Sequence, residues 1–308
     1  MIPVGLALAP PSPATANAID DLVTRARSAV DAGLASLWLA QMYDIDALTA
    51  AALIGHQVPR VTIGTAVTTV HSRHPIAMAS QAKTAQAAVG GRLALGLGVG
   101  HRTSVEQRYG YRFDQPALRM REYLTVLRRL LRDEEAAFRG ETVTADTTGV
   151  LTRVAGSAPP PVLIAALGPV MLRVAGELAD GTITWLAGPR TIAGHIAPAI
   201  AAASGQHLAP QVVAALPACL TSEPDAVRDR AAAGLAFYAE LPSYRAMLDR
   251  EGASSPADVA VIGDEAAIER AVSRLADAGA THFVANPALF TTPAEHARTV
   301  EFLGSLNP

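Results

Sequence analysis

Short apolar runs alternate with helix-like segments along most of the chain. The apolar runs lie at residues 2–8, 36–40, 61–67, 93–99, 161–167, 181–187, 211–220 and 281–287. Each run is nearly continuous in apolar residues, which is typical of strands buried on both faces of a parallel sheet. Helical spacing occurs at residues 20–32, 45–58, 75–89, 116–132, 169–179, 191–203 and 293–303, and several helices are expected within 223–279. Eight such strand–helix units predict an α/β fold, a closed (β/α)₈ TIM barrel.

A doubly wound open sheet is the main alternative to the barrel. Its dinucleotide-binding version carries a glycine fingerprint after the first strand, where this chain has APPSPA. We also find no linker or internal repeat that would divide the chain. The sequence therefore predicts one barrel domain over residues 1–308, with insertions at about 101–157, including an irregular hairpin at 138–157, and at about 223–262.

Composition limits the classes of partner. The chain is 50% apolar and 17% charged with a net charge of −3, and it lacks the basic stripe of a nucleic-acid-binding protein. No long uninterrupted apolar run predicts a membrane span, and the N-terminal segment lacks a basic region before its short apolar run. The single cysteine, Cys219, lies in an apolar run typical of a core strand. We expect a cytoplasmic protein that acts on small molecules.

Polar residues cluster after the second and third predicted strands, where a barrel builds its site. Gln41 follows the second strand and could orient a polar ring. Thr65, Ala66 and Val67 close the third strand, and Arg73 follows in a basic stretch that could meet an anion. The nearby pair of histidines, at 71 and 74, has loose spacing and no cysteine or carboxylate beside it, so no metal site is predicted.

Glycines and a histidine follow the fourth strand in the string GLGVGH. Gly98 and Gly100 would let a flat ligand approach the backbone, although the string does not match the GxGxxG fingerprint. His101 could act as a general acid or hydrogen-bond donor, because imidazole titrates near neutrality. A purely structural histidine at the rim is an equal alternative.

The fifth strand runs into a helix through small residues. Ala166, Leu167 and Gly168 form that turn, and the helix N-terminus would offer free N–H groups to a phosphate. A tight turn without a ligand needs the same residues. No set of nucleophile, base and orienting residue, and no facing pair of carboxylates, stands out at the predicted rim. Such a rim suits a cofactor that supplies its own chemistry.

Four strings together resemble the luciferase-like monooxygenase superfamily, in its coenzyme F420-dependent oxidoreductase branch. They are IGTAVTTVHSRHPIAMASQAKTA (63–85), GGRLALGLGVGH (90–101), RMREYLTVLRRLL (119–131) and PVLIAALGPVMLRVAGELADGTITW (161–185). The resemblance implies a barrel with insertions, commonly a homodimer, and a flavin or deazaflavin at the C-terminal mouth. It also implies a non-proline cis peptide at Ala66–Val67.

The resemblance assigns the cofactor contacts residue by residue. The implied cofactor-binding residues are Ala66, Val67, Gly98, Gly100, His101, Ala166, Leu167, Gly168, Val170 and Met171. Thr65 and Arg73 are added to the predicted cofactor-binding set because they lie at the end of the third strand and in the basic stretch after it. Arg73, with the neighbouring basic groups His74 and Arg102, would attract the phosphate and polyglutamate tail of F420.

Three positions depart from relatives that oxidise sugar phosphates or alcohols. Such relatives carry an acid and a histidine after the second strand and a glutamate after the fourth, where this chain has Gln41, Met42 and His101. We therefore expect His101 and Gln41 to be the catalytic residues of an F420-dependent hydride transfer to an activated double bond or imine. An FMN-dependent monooxygenase, or a barrel that only binds cofactor, is the alternative.

Overall fold

The structure is a computed structural model that describes residues 1–12, 14–205, 209–288 and 290–307. Eight parallel strands form a barrel: β1 Val4–Leu8, β2 Ser36–Leu39, β3 Thr62–Thr65, β4 Leu93–Gly98, β5 Val162–Ala165, β6 Gly181–Trp185, β7 Gln211–Leu220 and β8 His282–Asn286. Each strand pairs with the next along the chain, and β8 pairs with β1. The barrel predicted from the apolar runs is thus confirmed, and the open sheet is excluded.

Ten α-helices of eight or more residues cover the barrel and its insertions within the described ranges. They are α1 Ala18–Asp31, α2 Ala47–Gln57, α3 Pro75–Ala88, α4 Pro116–Leu131, α5 Pro169–Leu178, α6 Ala197–Ser204, α7 Pro224–Ala239, α8 Pro242–Glu251, α9 Glu265–Asp277 and α10 Pro293–Ser305. Several begin at side chains that accept from the first free N–H groups, including Asn17 before α1 and Thr292 before α10. Proline follows the cap of most others, because the first helical position needs no N–H donor.

Apolar side chains fill the barrel lumen. The cluster inside the barrel consists of Trp38, Ala94, Leu163, Ile183, Val213, Ala215 and Val284. The Trp38 ring lies against Gly64, where a Cβ atom would come within 2.6 Å of two ring carbons. Gly64 therefore makes room for a large ring in a chain with few aromatic residues. Because the lumen is packed, a ligand must bind at the mouth.

The third strand differs from its prediction. It was expected to continue to Val67, but regular pairing ends at Thr65, and a short strand Thr68–Thr69 then pairs with the end of β4. The peptide bond between Ala66 and Val67, in this interruption, is cis. The isomer implied by the resemblance is present at the expected bond.

The insertions contain more regular structure than the sequence indicated. Residues 101–115, expected as a polar loop, include a π-helical turn, Ser104–Arg108. The predicted hairpin pairs Ala137–Arg139 with Thr144–Asp146. The helix expected at 191–203 starts as Pro189–Thr191, widens into a π turn at Ile192–Ile196 and continues as α6. The second insertion contains α7, α8 and a 3₁₀ turn.

The hairpin is fastened to α4 by a buried carboxylate. Glu122 accepts hydrogen bonds from the backbone N–H groups of Glu141, Thr142 and Val143 at 2.7–2.9 Å, and from the Thr142 hydroxyl at 2.6 Å. Burial by itself would raise the pKa of Glu122, but these four donors outweigh it and lower the pKa. The hairpin therefore depends on an ionised side chain.

Candidate functional site

The predicted cofactor-binding residues come together on three adjacent strands. Thr65, Ala66 and Val67 follow β3, Gly98 and Gly100 end β4, and the turn at 166–168 follows β5. These strands are neighbours in the barrel, so their C-terminal ends form one continuous side of the mouth. Val170 and Met171 lie in the first turn of α5, next to the same side.

Thr65 and the glycines of β4 fit the interrupted third strand to its neighbour. The buried Thr65 hydroxyl donates to the Gly96 carbonyl at 2.7 Å and accepts from the Gly96 N–H at 2.9 Å. A Cβ atom at Gly96 would overlap the backbone oxygen of Thr65, and one at Gly98 would lie 2.6 Å from a methyl group of Val67. The sequence suggested that Gly98 leaves space for a ligand, but the Val67 side chain occupies that space.

The N-terminus of α5 is open. Gly168 is its N-cap residue and contributes no side-chain hydrogen bond, and nothing lies within 4 Å of where a Gly168 Cβ would be. The Val170 side chain is 59% exposed, so the first turn is accessible. The helix dipole and the free N–H groups give this end a positive potential. The arrangement suits a phosphate, as the small-residue turn predicted.

A histidine missed by sequence reasoning holds this turn in place. The His195 Nε2 atom lies 2.8 Å from the Leu167 carbonyl oxygen. By contrast, the comparable helix start after β6 is occupied by Glu251, whose carboxylate accepts from the N–H groups of Arg190 and Thr191. Of these two neighbouring helix starts, only the one after β5 is free to accept an anion.

His101 lies within an aromatic cluster formed by the second insertion. Its ring centroid is 6.1 Å from that of Phe237, 6.4 Å from Tyr238 and 6.0 Å from Tyr244. Trp185, at the end of β6, adds an indole 6.0 Å from Tyr238. Helices α7 and α8 therefore reach across the mouth to the end of β4.

The aromatic wall, which consists of His101, Trp185, Phe237, Tyr238 and Tyr244, is uncharged at neutral pH. Burial lowers the pKa of His101 and raises the pKa values of Tyr238 and Tyr244, so each group favours its neutral form. The indole N–H of Trp185 is buried without a hydrogen-bond partner among the described residues. The wall thus offers flat apolar faces with a few neutral polar atoms, while the catalytic role of His101 stays a prediction.

Gln41 stabilises the start of α2. Its carbonyl oxygen accepts from the Ala47 N–H at 3.0 Å, and its amide nitrogen donates to the carbonyls of Met42 and Ile45 at 3.0 and 3.2 Å. Both ends of the amide are engaged within six residues. The predicted catalytic role of Gln41 stays a prediction, and it requires at least one of these bonds to open.

Arg73 forms an ion pair with Asp46, the N-cap residue of α2. Part of its charge is therefore neutralised, and the side chain links the end of β3 to the start of α2. Arg102, the other expected basic group, pairs with Glu106 at 2.6 Å and stacks over Phe113. Both guanidinium groups lie near the mouth, but each already has a carboxylate partner.

Within the described ranges, neither a cluster of metal ligands nor a membrane-spanning helix is present. No three His, Cys, Asp or Glu side chains come together there as a metal site requires. None of the helices in those ranges combines the length and apolar character needed to cross a membrane. Cys219 is buried and unpaired in β7, and burial raises the pKa of its thiol to about 11.

The sequence profile of the luciferase-like monooxygenase family matches residues 4–303, nearly the whole chain. The chain belongs to the luciferase-like monooxygenase family. This agrees with the closed barrel, its two insertions and the interrupted third strand.

Relatives within the family include enzymes named for coenzyme F420. A Mycobacterium tuberculosis protein provisionally named coenzyme F420-dependent oxidoreductase is 33% identical over 174 residues. That match covers 53% of this chain and 50% of the relative, so the chain matches about half of that protein's length.

Solved structures of other proteins show the same fold along nearly the entire chain. Coenzyme F420-dependent tetrahydromethanopterin reductase from Methanopyrus kandleri superposes with a TM-score of 0.83 at 20% identity, covering 99% of this chain and 98% of the reductase. An F420-dependent secondary alcohol dehydrogenase, solved with an F420–acetone adduct, gives a TM-score of 0.80 at 17% identity, covering 100% of this chain and 98% of that one. At these identities the likeness establishes the fold alone.

Proposed function

We propose that this protein is an F420-dependent oxidoreductase that transfers a hydride between the deazaflavin and a small organic substrate. The proposal depends mainly on one observation: the open N-terminus of α5 and the uncharged aromatic wall lie at the same mouth of the barrel. The helix start suits the phosphate of the cofactor tail, and the wall suits a flat ring system. The F420-dependent names among its relatives support the same cofactor.

The proposed arrangement assigns each part of the cofactor to a group of the described residues. The N–H groups of Val170 and Met171 would hold the phosphate, and the turn at 166–168 would line the chain that leads to it. The interrupted end of β3 would support the ring at Ala66 and Val67. When bound, the deazaflavin supplies the hydride chemistry, and the protein binds, orients and excludes water.

The substrate proposed for this site is an electron-poor, uncharged molecule such as an enone or imine. The aromatic wall around His101 carries no net charge, so it would bind a neutral planar compound better than a phosphorylated one. The absence of an acid at positions 41 and 42 argues against alcohol oxidation, because no carboxylate there would help remove a proton from the hydroxyl.

A fluorescence titration of the purified protein with F420, with FMN in parallel, tests the cofactor. We expect binding of F420 with a Kd of about 1–10 µM and FMN binding at least about tenfold weaker. A panel of enones, imines and secondary alcohols then tests the reaction through the absorbance of the cofactor. Preferential FMN binding, or binding of neither, would reject the proposed cofactor. Reduction of oxidised F420 by alcohols alone would reject the substrate class.

A charge placed at the helix start tests the phosphate cradle. Val170→Glu would put a carboxylate beside the free N–H groups, so it should stabilise α5 by a few tenths of a kcal/mol and weaken F420 binding about tenfold or more. Val170→Gln is the matched neutral control and should bind F420 nearly as well as the native protein. Equal affinity in both variants would place the cofactor phosphate elsewhere.

A further inference from the structure

Among the described residues, buried polar groups without hydrogen-bond partners concentrate on the β3–β4 side of the mouth, away from the α5 N-terminus. Five such atoms belong to four residues: both ring nitrogens of His71, one terminal nitrogen of Arg73, the Nε atom of Arg119 and the hydroxyl of Tyr123. His71 is 5% exposed and Tyr123 is completely buried. Native interiors satisfy nearly all such groups, and each one left unpaired costs about 1–3 kcal/mol.

The four side chains lie close together between β3, the 101–115 segment and α4. The His71 ring stacks on Phe113 with 5.7 Å between ring centroids. Burial raises the pKa of the Tyr123 hydroxyl, and the positive charges of Arg73 and Arg119 nearby partly offset that rise. Arg119 also acts on His71, whose pKa falls to about 4, mainly through burial. His71 is therefore neutral, and one of its nitrogens is a donor.

Donors outnumber acceptors in this cluster. Both arginine nitrogens are donors only, and the Tyr123 hydroxyl and neutral His71 each contribute one donor and one acceptor. The nearby Val99 carbonyl raises the pKa of His71 slightly, but its geometry does not make a hydrogen bond to either ring nitrogen. An acceptor-rich group is therefore missing from the set.

The carboxylates nearby are already engaged. Asp46 pairs with the other terminal nitrogen of Arg73, and Glu122 accepts its four bonds from the hairpin. Arg119 donates to the Thr142 carbonyl at 3.3 Å and, within the described ranges, has no carboxylate within ion-pair distance. Its charge is thus available to a ligand.

We propose that His71, Arg73, Arg119 and Tyr123 form a binding pocket for a small oxyanion, a phosphate or carboxylate group. An oxyanion supplies several acceptor oxygens and a negative charge, which together satisfy four neighbouring donors better than water alone. The pocket lies on the β3–β4 side of the mouth, apart from the α5 N-terminus. It does not depend on the proposed function, because a free anion can occupy it without cofactor.

Thermal unfolding of the cofactor-free protein in phosphate and in chloride, at equal ionic strength, tests the pocket. We expect a saturable rise in Tm of about 2–5 °C once phosphate exceeds its Kd about tenfold. Arg119→Met should abolish the rise. Arg132→Met is the matched control on the end of the same helix, where Arg132 is exposed, and it should retain the rise.

Tyr123→Phe provides a second variant if Arg119→Met folds poorly. Loss of the hydroxyl should weaken phosphate binding about five- to tenfold. An equal Tm of the native protein in phosphate and chloride, or an unchanged phosphate effect in both Arg119→Met and Tyr123→Phe, would overturn the pocket. An F420 titration in phosphate shows whether the natural anion is free phosphate or the tail of the cofactor. If the cofactor tail occupies the pocket, saturating F420 should remove the rise in Tm that phosphate causes. The deazaflavin ring without its phosphate tail should leave that rise unchanged. Failure of F420 to bind would reject the proposed function and leave the phosphate result standing.

Discussion

Replacing Gly98 by alanine tests whether β3 and β4 fit together through the Val67 side chain. The new Cβ atom would lie 2.6 Å from a Val67 methyl carbon, about 1 Å closer than ordinary contact. We expect the overlap to lower the free energy of unfolding by about 1–3 kcal/mol. The remaining neighbours, the Cβ atoms of Ala165 at 3.6 Å and Val67 at 3.7 Å, are at normal contact distances.

The clash should disappear when Val67 is shortened. Val67→Ala by itself removes two half-buried methyl groups and should cost about 1 kcal/mol. In that background, Gly98→Ala meets no atom closer than 3.6 Å, so it should add almost nothing. The double variant should therefore be about 1–3 kcal/mol more stable than the sum of the single effects predicts.

Urea unfolding followed by tryptophan fluorescence measures all four proteins of this cycle. Gly96→Ala is the matched control, because its Cβ would overlap the Thr65 backbone oxygen, which no side-chain truncation removes. Val67→Ala should not rescue that variant. If Gly98→Ala and Val67→Ala prove additive within about 0.5 kcal/mol, the proposed packing between the two strands is wrong.

Three further predictions concern the supports of the site and its proposed proton donor. Thr65→Val keeps the shape of the side chain but leaves the N–H and C=O of Gly96 unpaired, so chemical denaturation should show a loss of about 1–3 kcal/mol. The lowered pKa of Glu122 gives stability that is present above its unfolded value of 4.5 and is lost as pH falls through the folded value; in Glu122→Gln this part of the acid-unfolding profile should vanish. If protonated His101 is the proton donor, kcat/KM for oxidation of reduced F420 should fall as pH rises through the pKa of His101, which lies below 6.5. His101→Asn should remove that pH dependence. An identical pH profile in both proteins would exclude the role.

The barrel was predictable because its signal is repeated and local. Each buried parallel strand is a nearly continuous apolar run, and each helix has its own start and stop residues. Once the strands are parallel, their C-terminal ends must share one mouth, so Thr65, Gly98 and Gly168 could be placed on one side before any coordinates existed.

The aromatic wall was not predictable from these signals. His101 meets Phe237, Tyr238 and Tyr244 across more than a hundred residues of chain, and strand–helix alternation does not say how an insertion folds back. One usable signal was three aromatic residues within positions 237–244 of a chain that is only 5% aromatic. Gly98 shows a related limit, because a glycine indicates a close approach without saying which atoms approach, and here a methyl group of Val67 does so. Its contact with a cofactor stays a prediction.

One side of the mouth consists of barrel strands and the other mostly of an insertion, so the two sides should differ in how well they tolerate substitution. The side proposed for the cofactor consists of adjacent barrel strands, where Thr65, Gly96 and Gly98 leave little tolerance for substitution. The facing wall comes mostly from α7 and α8, an insertion whose aromatic side chains can be exchanged without breaking a barrel strand. Substitutions at Phe237 or Tyr238 should therefore change substrate selection while cofactor affinity stays nearly constant. Substitutions at Gly98 should reduce stability and cofactor affinity together, because the same packing that closes the barrel also positions Val67 at the mouth.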